Sequence, residues 1–293
     1  MKQFAYVILH YKNMKDTLDC IHSIQEKTDS PIVIVDNHTL STSDQKKLSR
    51  YTKDIILLED NLGFAKANNI GIRYAWEHYR PDFVVVINND IVITQPDFES
   101  QIVKSYQKSH FDMFGPRIDT DGGDSVNPFP VYSSLEEVEK AISRTKRNIR
   151  LFSSPLQRSL FRIYHNIKYK IVPIKHLKNG LEARTGIGLH GCALVFSKKY
   201  LKKYPDAFYN ETFLYHEEEF LYYRMKRDHL ISYYDPNVYC FHKEGSSLNF
   251  SFQNNYYEKE LFRNKEILSS LTKLYDLMVN DQKRKGVRSD EIS

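Results

Sequence analysis

The sequence predicts an α/β protein: a Rossmann-like, mostly parallel central β-sheet, doubly wound, with helices on both faces. Three observations carry that expectation. Apolar runs of strand length alternate with helical periodicities through the first 115 residues, joined by short connections. The main runs are continuous and rich in β-branched residues, the pattern of strands buried on both faces. Each run ends in a polar residue or cluster, and a parallel sheet gathers such ends along one rim, where open α/β sheets bind ligands.

The elements follow in order. Residues 4–9 (FAYVIL) read as the first buried strand, closed by His10-Tyr11-Lys12-Asn13. Leu18, Ile21 and Ile24 share one face of a first helix that ends near Lys27. Pro31 precedes a second strand at 32–35, closed by Asp36-Asn37. A polar helix over about 43–51 leads to a third strand at 55–58, and Asn61-Leu62-Gly63 makes a turn. A helix over 65–79 follows and stops before Pro81. Residues 83–93, FVVVINNDIVI, then form the central run. Asn88, Asn89 and Asp90 interrupt it, and three polar residues cannot sit unpaired in a core. Two readings are open for them: an Asn-rich turn between strands, or a rim site where a lone carboxylate holds a phosphate-bound divalent metal. Beyond Pro96 a helix to about Lys108 and a strand at 111–116 complete the alternation.

The second half changes character. Residues 140–181 hold eleven Lys and Arg and no Asp or Glu. Leu156, Leu160, Tyr164, Ile167 and Ile171 recur there at helical spacing. A basic amphipathic helix reads either as a membrane-surface or polyanion-binding element or as a solvated helix capping the core. Residues 186–196 read as a small-residue strand. Glu217-Glu218-Glu219 open a helix otherwise lined by aromatic residues; carboxylates favour a helix N-terminus, but an aromatic setting is a costly one for charge. Strands at 231–234 and 238–241 end in His242. A helix over 256–278 precedes a charged tail, residues 280–293, that reads as disordered.

Bulk properties narrow the classes. The 293 residues suffice for one large or two small domains, and 41% hydrophobic with 27% charged content is ordinary for a globular protein. A net charge of +5 does not demand nucleic acid. Three cysteines with no C-x-x-C spacing argue against a disulfide framework or a structural zinc and fit a reducing cytosol. No run reaches the roughly 18 apolar residues of a membrane span, and the N-terminus lacks a cleavage pattern. The expected location is cytoplasmic, with peripheral attachment to the inner face of the plasma membrane open through the basic insert. The dinucleotide and P-loop fingerprints are missing, so nucleotide binding has to rest on polar strand ends.

Several blocks, in order, resemble the inverting family-two glycosyltransferases with the GT-A fold, most of all the rhamnosyltransferase-like branch that builds bacterial surface polysaccharides. They are Val7-Ile8-Leu9-His10-Tyr11-Lys12-Asn13, Ile34-Val35-Asp36-Asn37, Asn61-Leu62-Gly63-Phe64-Ala65 continuing through Asn68-Asn69-Ile70-Gly71-Ile72, and Asn88-Asn89-Asp90. Gly191-Cys192-Ala193-Leu194-Val195, Glu217-Glu218 with Arg224, His242 with Gly245-Ser246-Ser247, and Arg263-Asn264 complete the set.

The resemblance implies transfer of a sugar from a UDP- or dTDP-sugar to a glycan acceptor, carried on a polyprenyl diphosphate, in capsule, O-antigen or exopolysaccharide synthesis. It implies Asp90 and His242 as ligands of Mn2+ or Mg2+. His10, Asp36, Asn61, Asn68, Asn88, Asp90 and Arg263 would meet the nucleotide sugar. Glu218, with Glu217 the alternative, would be the catalytic base. Residues 1–115 would bind the donor, 116–250 the acceptor with the basic insert at 140–181, and 251–279 would form a C-terminal helix. His10 stands where a Thr is usual, Asn88 where an Asp is frequent, and Glu218 where an Asp is usual. The last two departures keep a second reading open, an inactive nucleotide-sugar or glycan binding module. A nucleotidyltransferase would carry a Gly-rich basic loop after its first strand, and HYKNMKD has no glycine.

Overall fold

The computed structural model describes residues 2–153, 182–243 and 255–290, the last six as backbone. The helical spacing over 156–171 and the Gly245-Ser246-Ser247 block lie outside the described residues. The strands are β1 (Phe4–His10), β2 (Ile32–Asp36), β3 (Asp54–Leu57), β4 (Phe83–Asn88), β5 (Ile91–Val92), β6 (Met113–Thr120), β7 (Arg184–Thr185), β8 (Ala193–Ser197) and β9 (Ser232–His242). The helices are α1 (Met14–Gln25), α2 (Thr42–Leu48), α3 (Gly63–Tyr79), α4 (Phe98–Ser109), α5 (Leu135–Ser153), α6 (Lys198–Lys203), α7 (Glu217–Arg227) and α8 (Tyr256–Asp290).

All nine strands belong to one sheet, in the order β3-β2-β1-β4-β8-β6-β9-β5, with β7 also on β9. The first four are mutually parallel, as the alternation predicts. Past β4 the sheet is mixed: β8 runs antiparallel to both β4 and β6, β6 and β9 are parallel, and β5 and β7 run antiparallel to β9. A fully buried apolar strand reads the same in either direction, so composition does not carry this reversal.

Side-chain alternation splits each central strand between two cores. Phe4, Tyr6 and Ile8 of β1 pack with Cys20, Ile21 and Ile24 of α1 and Phe98 and Ile102 of α4. Ala5, Val7 and Leu9 pack on the other face with Ala65, Ala67, Ile72 and Ala75 of α3, Tyr200 of α6 and Leu221 and Met225 of α7. Full burial of each such side chain is worth roughly 1.5–3 kcal/mol. Gly71 lets α3 lie close against the sheet, since a Cβ there would fall 2.5 Å from Val7 Cγ1 and 2.6 Å from Val35 Cγ2.

Local chemistry sets the ends. Asn13 caps α1 and Ser41 caps α2, each accepting the backbone N–H three residues on. α3 begins at Gly63, whose φ of +78° a side chain resists and whose Cβ would lie 2.2 Å from Phe213 O. Phe64 N–H donates to that same oxygen, pinning the turn to the second half of the chain.

The run 83–93 is parted into two strands by Asn89-Asp90, the turn that one of the two open readings describes. Three expectations change. Residues 186–192 are loop rather than strand, because the N–H groups of His190, Gly191 and Cys192 bond to side chains instead of a neighbouring strand. The strands expected at 231–234 and 238–241 are one, β9, whose register against β6 shifts between Pro116 and Arg117 to absorb Pro236-Asn237-Val238. The last helix runs to Asp290 rather than ending near Met278, so the tail expected to be disordered is helical through that residue. Tyr223 and Arg227 of α7 both donate to Asp281 Oδ2 at 3.1 Å, which holds the helix past its last core residue. Leu271, Leu274 and Met278 of α8 form a third core with Val138 and Ala141 of α5 and Phe220 of α7.

Candidate active site

The sheet order explains how two residues distant in the chain meet. Asn89-Asp90 alone joins β4 to β5, yet β5 pairs with the last residues of β9 and not with β4, so this short crossing meets the end of β9. β5 pairs antiparallel with β9, setting Ile91 opposite His242. Asp90 therefore stands beside His242, with Oδ1 3.2 Å from Nε2. That oxygen is buried and, beyond the His242 ring, has no hydrogen-bond partner. A buried carboxylate oxygen so sparsely paired is costly to maintain, which suits it to a ligand.

A carboxylate and an imidazole form a donor set suited to Mn2+ or Mg2+. Neighbouring ligand atoms of an octahedral ion with bonds near 2.1 Å lie about 3 Å apart, which the pair meets. Among the described residues no group of three or more His, Cys, Asp or Glu could hold a metal ion. The pair suits a cation that arrives with further oxygens, as diphosphate supplies.

Next to this pair lies the loop ahead of β8. Asn88 N–H donates to Cys192 O at 2.9 Å, joining the loop to the end of β4. The His190 and His242 ring centroids are 6.5 Å apart. His190 Nδ1 accepts from Cys192 N–H at 3.1 Å and lies 4.0 Å from Glu218 Oε1. Burial, aided by His242 nearby, lowers the His190 pKa despite the Glu218 carboxylate. Gly191 N–H donates to Glu218 Oε1 at 2.9 Å. Asn127 supports the loop from below, accepting from His190 N–H and donating to Pro116 O.

Glu217 and Glu218 are separated by their environments. The Glu218 side chain is 12% exposed and anchored by one oxygen. Glu217 is 6% exposed, with Oε1 buried and unbonded. Burial, with the neighbouring Glu218, pushes its carboxyl well above the usual range. The folded state thus binds a proton that the unfolded chain releases at lower pH. Stability falls as pH rises from the ordinary carboxylate range toward the raised value. Glu217→Gln removes that loss, so its melting temperature should gain on the wild type progressively from pH 5 to pH 8. Parallel curves across that range would contradict the assignment.

Tyr215 and His216, just before α7, both have left-handed backbones, with φ of 70° and 66°. His216 Nδ1 lies 3.0 Å from Glu219 Oε1. Arg224 braces the loop from behind, donating to Tyr200 OH, Asp206 O and Ala207 O.

The remaining candidates fall into two groups. Asp36, Asn61 and Asn88 stand at the same rim, after β2, after β3 and at the end of β4. Both Asp36 oxygens already accept, Oδ1 from Thr39 and Oδ2 from Leu40 N–H, so this carboxylate shapes its own turn. Asn61 Oδ1 accepts Gly63 N–H. His10 and Asn68 are enclosed instead, 1% and 0% exposed. Each has a partner within the protein. His10 Nδ1 sits 2.6 Å from Thr17 Oγ1, and Asn68 donates to Phe64 O inside α3. Burial lowers the His10 pKa, keeping the ring neutral. Arg263 is on α8 with half its side chain exposed, 3.7 Å from Glu260 and over the Tyr215 ring, on the Glu217 side of the site.

Sequence reasoning passed over Asn37 and Asn69. Asn37 accepts Leu62 N–H and donates to Gly63 O, joining β2 to the α3 turn. Asn69 accepts Phe208 N–H and donates to Phe208 O and Asn210 Oδ1, tying α3 to the second half. Both lie inside the sequence blocks quoted above, beside residues that were singled out.

Comparison with known proteins is consistent with this geometry. The low-salt glycan biosynthesis hexosyltransferase Agl10 of Haloferax volcanii is 24% identical over 233 residues, which is 78% of this chain and 64% of that protein. The chain thus spans just under two thirds of that relative's length. Two solved structures share the fold. GalNAc-T7, solved with UDP, GalNAc and Mn2+, has a TM-score of 0.53 at 13% identity, covering 88% of this chain and 49% of that one. The mannosyltransferase PcManGT of Pyrobaculum calidifontis, solved with GDP-Man and Mn2+, has a TM-score of 0.51 at 12% identity, covering 91% and 70%. The model of the family described as "Glycosyl transferase family 2" matches residues 6–204, more than half of the sequence. The chain belongs to glycosyl transferase family 2.

Proposed function

We propose that the protein is an inverting glycosyltransferase that moves a hexose from a nucleoside-diphosphate sugar to an acceptor hydroxyl, with Mn2+ or Mg2+ held by Asp90 and His242. The observation that carries the reading is the buried Asp90–His242 pair, whose carboxylate oxygen has no other partner, one histidine away from Glu218. When bound, the cation would neutralise charge on the departing diphosphate. Glu218 is the base. Gly191 fixes one of its oxygens, and the other takes the proton of the attacking hydroxyl. One displacement served by one base inverts the anomeric carbon. Asp36, Asn61 and Asn88 line the donor end, and Arg263 would support the diphosphate. Relatives that act on or bind hexoses and nucleotides support the donor class. The rhamnosyltransferase-like assignment, with a dTDP-sugar donor, rests on the sequence blocks.

The test is a donor panel. With Mn2+ present, one of the UDP-, dTDP- or GDP-hexoses should raise the melting temperature and release nucleoside diphosphate, and EDTA should abolish both. Stabilisation without turnover by any donor would favour the binding-module reading. Neither effect with any donor would overturn both.

The acceptor is proposed to be a lipid-linked glycan, in capsule or another surface polysaccharide, reached at the inner face of the plasma membrane. No described helix is long and apolar enough to cross a membrane. The α5 side bearing Val138 and Ala141 is already spent against α8, so α5 offers charge rather than an inserting face. Lys140, Arg144, Arg147 and Arg150 are exposed along it, with Glu136 and Glu139 confined to its first half. Near an anionic surface each basic residue contributes about 1 kcal/mol. The protein should float with phosphatidylserine vesicles at low salt, and reversing those four charges should abolish flotation. Equal flotation of both proteins would remove α5 from the account.

A further inference from the structure

Asp90 and His242 each have a chain neighbour fastened to the same short stretch of α1. Asn89, beside Asp90, donates through Nδ2 to Thr17 Oγ1 at 3.0 Å and to Asn13 O at 3.3 Å. Lys243, beside His242, places Nζ 3.2 Å from Asp16 Oδ1 and 2.5 Å from Asp19 Oδ2. Its backbone N–H donates to Asp90 O at 3.0 Å, so it touches both the platform and the crossing it serves.

The receiving stretch is itself braced. Asn13 caps α1 through Asp16 N–H, and its side-chain amide also holds the Asp16 carboxylate. The Thr17 hydroxyl donates to Asn13 O at 3.1 Å, leaving it to accept from Asn89 and from His10 Nδ1. Three polar side chains and one backbone carbonyl at the start of one helix thus meet two strand ends that sequence separation alone would leave independent.

We propose that residues 13–19 are a platform that sets the Asp90–His242 separation, with Lys243 its latch: a positioning residue for the divalent-cation pair. This rests on the reading of that pair as a cation site. A bare ammonium so close would repel a divalent ion. Asp16 and Asp19 together outweigh it, so the latch carries net negative charge and its ammonium is engaged. Outer partners that orient ligands typically contribute 10–100-fold to metal affinity. The platform also accounts for His10, whose enclosed ring supports Thr17 rather than a nucleotide.

The probe is Mn2+ alone, its binding to the full chain followed by water-proton relaxation, with melting temperature measured beside it. Lys243→Met and Thr17→Val should each weaken Mn2+ binding 10–100-fold, while Lys243→Arg should stay within a few-fold of wild type. Asp19→Asn, at the more exposed end of the latch, should give a smaller loss and guards against a variant that fails to fold. Lowered melting temperatures with unchanged Mn2+ affinity would reduce the platform to a structural brace and overturn the proposal. Unchanged Mn2+ affinity with weakened UDP binding would overturn it in favour of a phosphate contact by Lys243. A wild type that binds Mn2+ no better than Asp90→Ala would instead overturn the cation site, and the platform with it.

Discussion

Asp90→Ala is expected to lower sugar transfer at least about a thousandfold while leaving the protein folded. Loss of a cation that neutralises a leaving diphosphate forfeits several kcal/mol of transition-state stabilisation, and about 1.4 kcal/mol is a factor of ten in rate. Stability should survive for two reasons. The buried oxygen of the deleted carboxylate, Oδ1, meets only the His242 ring, so its removal loses a single contact. The carbonyl that receives Lys243 N–H is backbone and remains in the variant. The melting temperature should therefore match or exceed the wild type, and the Mn2+-dependent donor shift should vanish. Turnover near the wild-type rate would end the case for Asp90. A collapsed melting temperature would mean that the crossing, not the ligand, had been lost; Asp90→Asn, which keeps the shape, would then separate the two.

Much of this site was legible because its parts are local. The polar exit from a buried apolar run announces a rim whatever the partner strand is, and Asn88–Asp90 needed no more than that. That the first four strands run parallel follows from short connections and crossover helices. What was not legible depends on contacts between distant residues. Nothing local to 88–93 says that the short strand after Asp90 will pair with the end of β9, or that Ile91 will face His242. Asp16 and Asp19 look like ordinary acidic residues early in a helix until Lys243 arrives from the end of β9. His10 ends a strand as a ligand-binding residue would, and only Thr17 shows that it faces inward. The helical state of 280–290 was hidden for the same reason: charged composition reads as disorder, and Asp281 gains its partners from α7. Neighbouring glutamates posed a different difficulty. Successive helix residues point about 100° apart, and the phase of α7 is set by the left-handed pair at 215–216, which composition does not foretell.

That phase is what Glu218→Gln tests. The variant should bind donor and Mn2+ as the wild type does and transfer sugar roughly 10²–10⁴-fold more slowly, the usual contribution of a positioned base. Its amide oxygen can still accept Gly191 N–H, so the loop between β4 and α7 keeps its anchor. What goes is the basic oxygen left for the acceptor's proton, so the loss should lie in kcat rather than in donor affinity. Glu217→Gln makes the contrast sharp. Glu217 is enclosed, with Oε1 unbonded, and is pushed toward its neutral form by burial and by Glu218. An amide there should cost little activity and relieve some strain. If the two outcomes were exchanged, with transfer lost from Glu217→Gln and kept in Glu218→Gln, the base would be the buried residue, and α7 would have to turn or open for it to reach an acceptor. If both variants transferred at the wild-type rate, neither carboxylate would be the base, and the proton would have to leave by another group at the rim, His190 being the nearest.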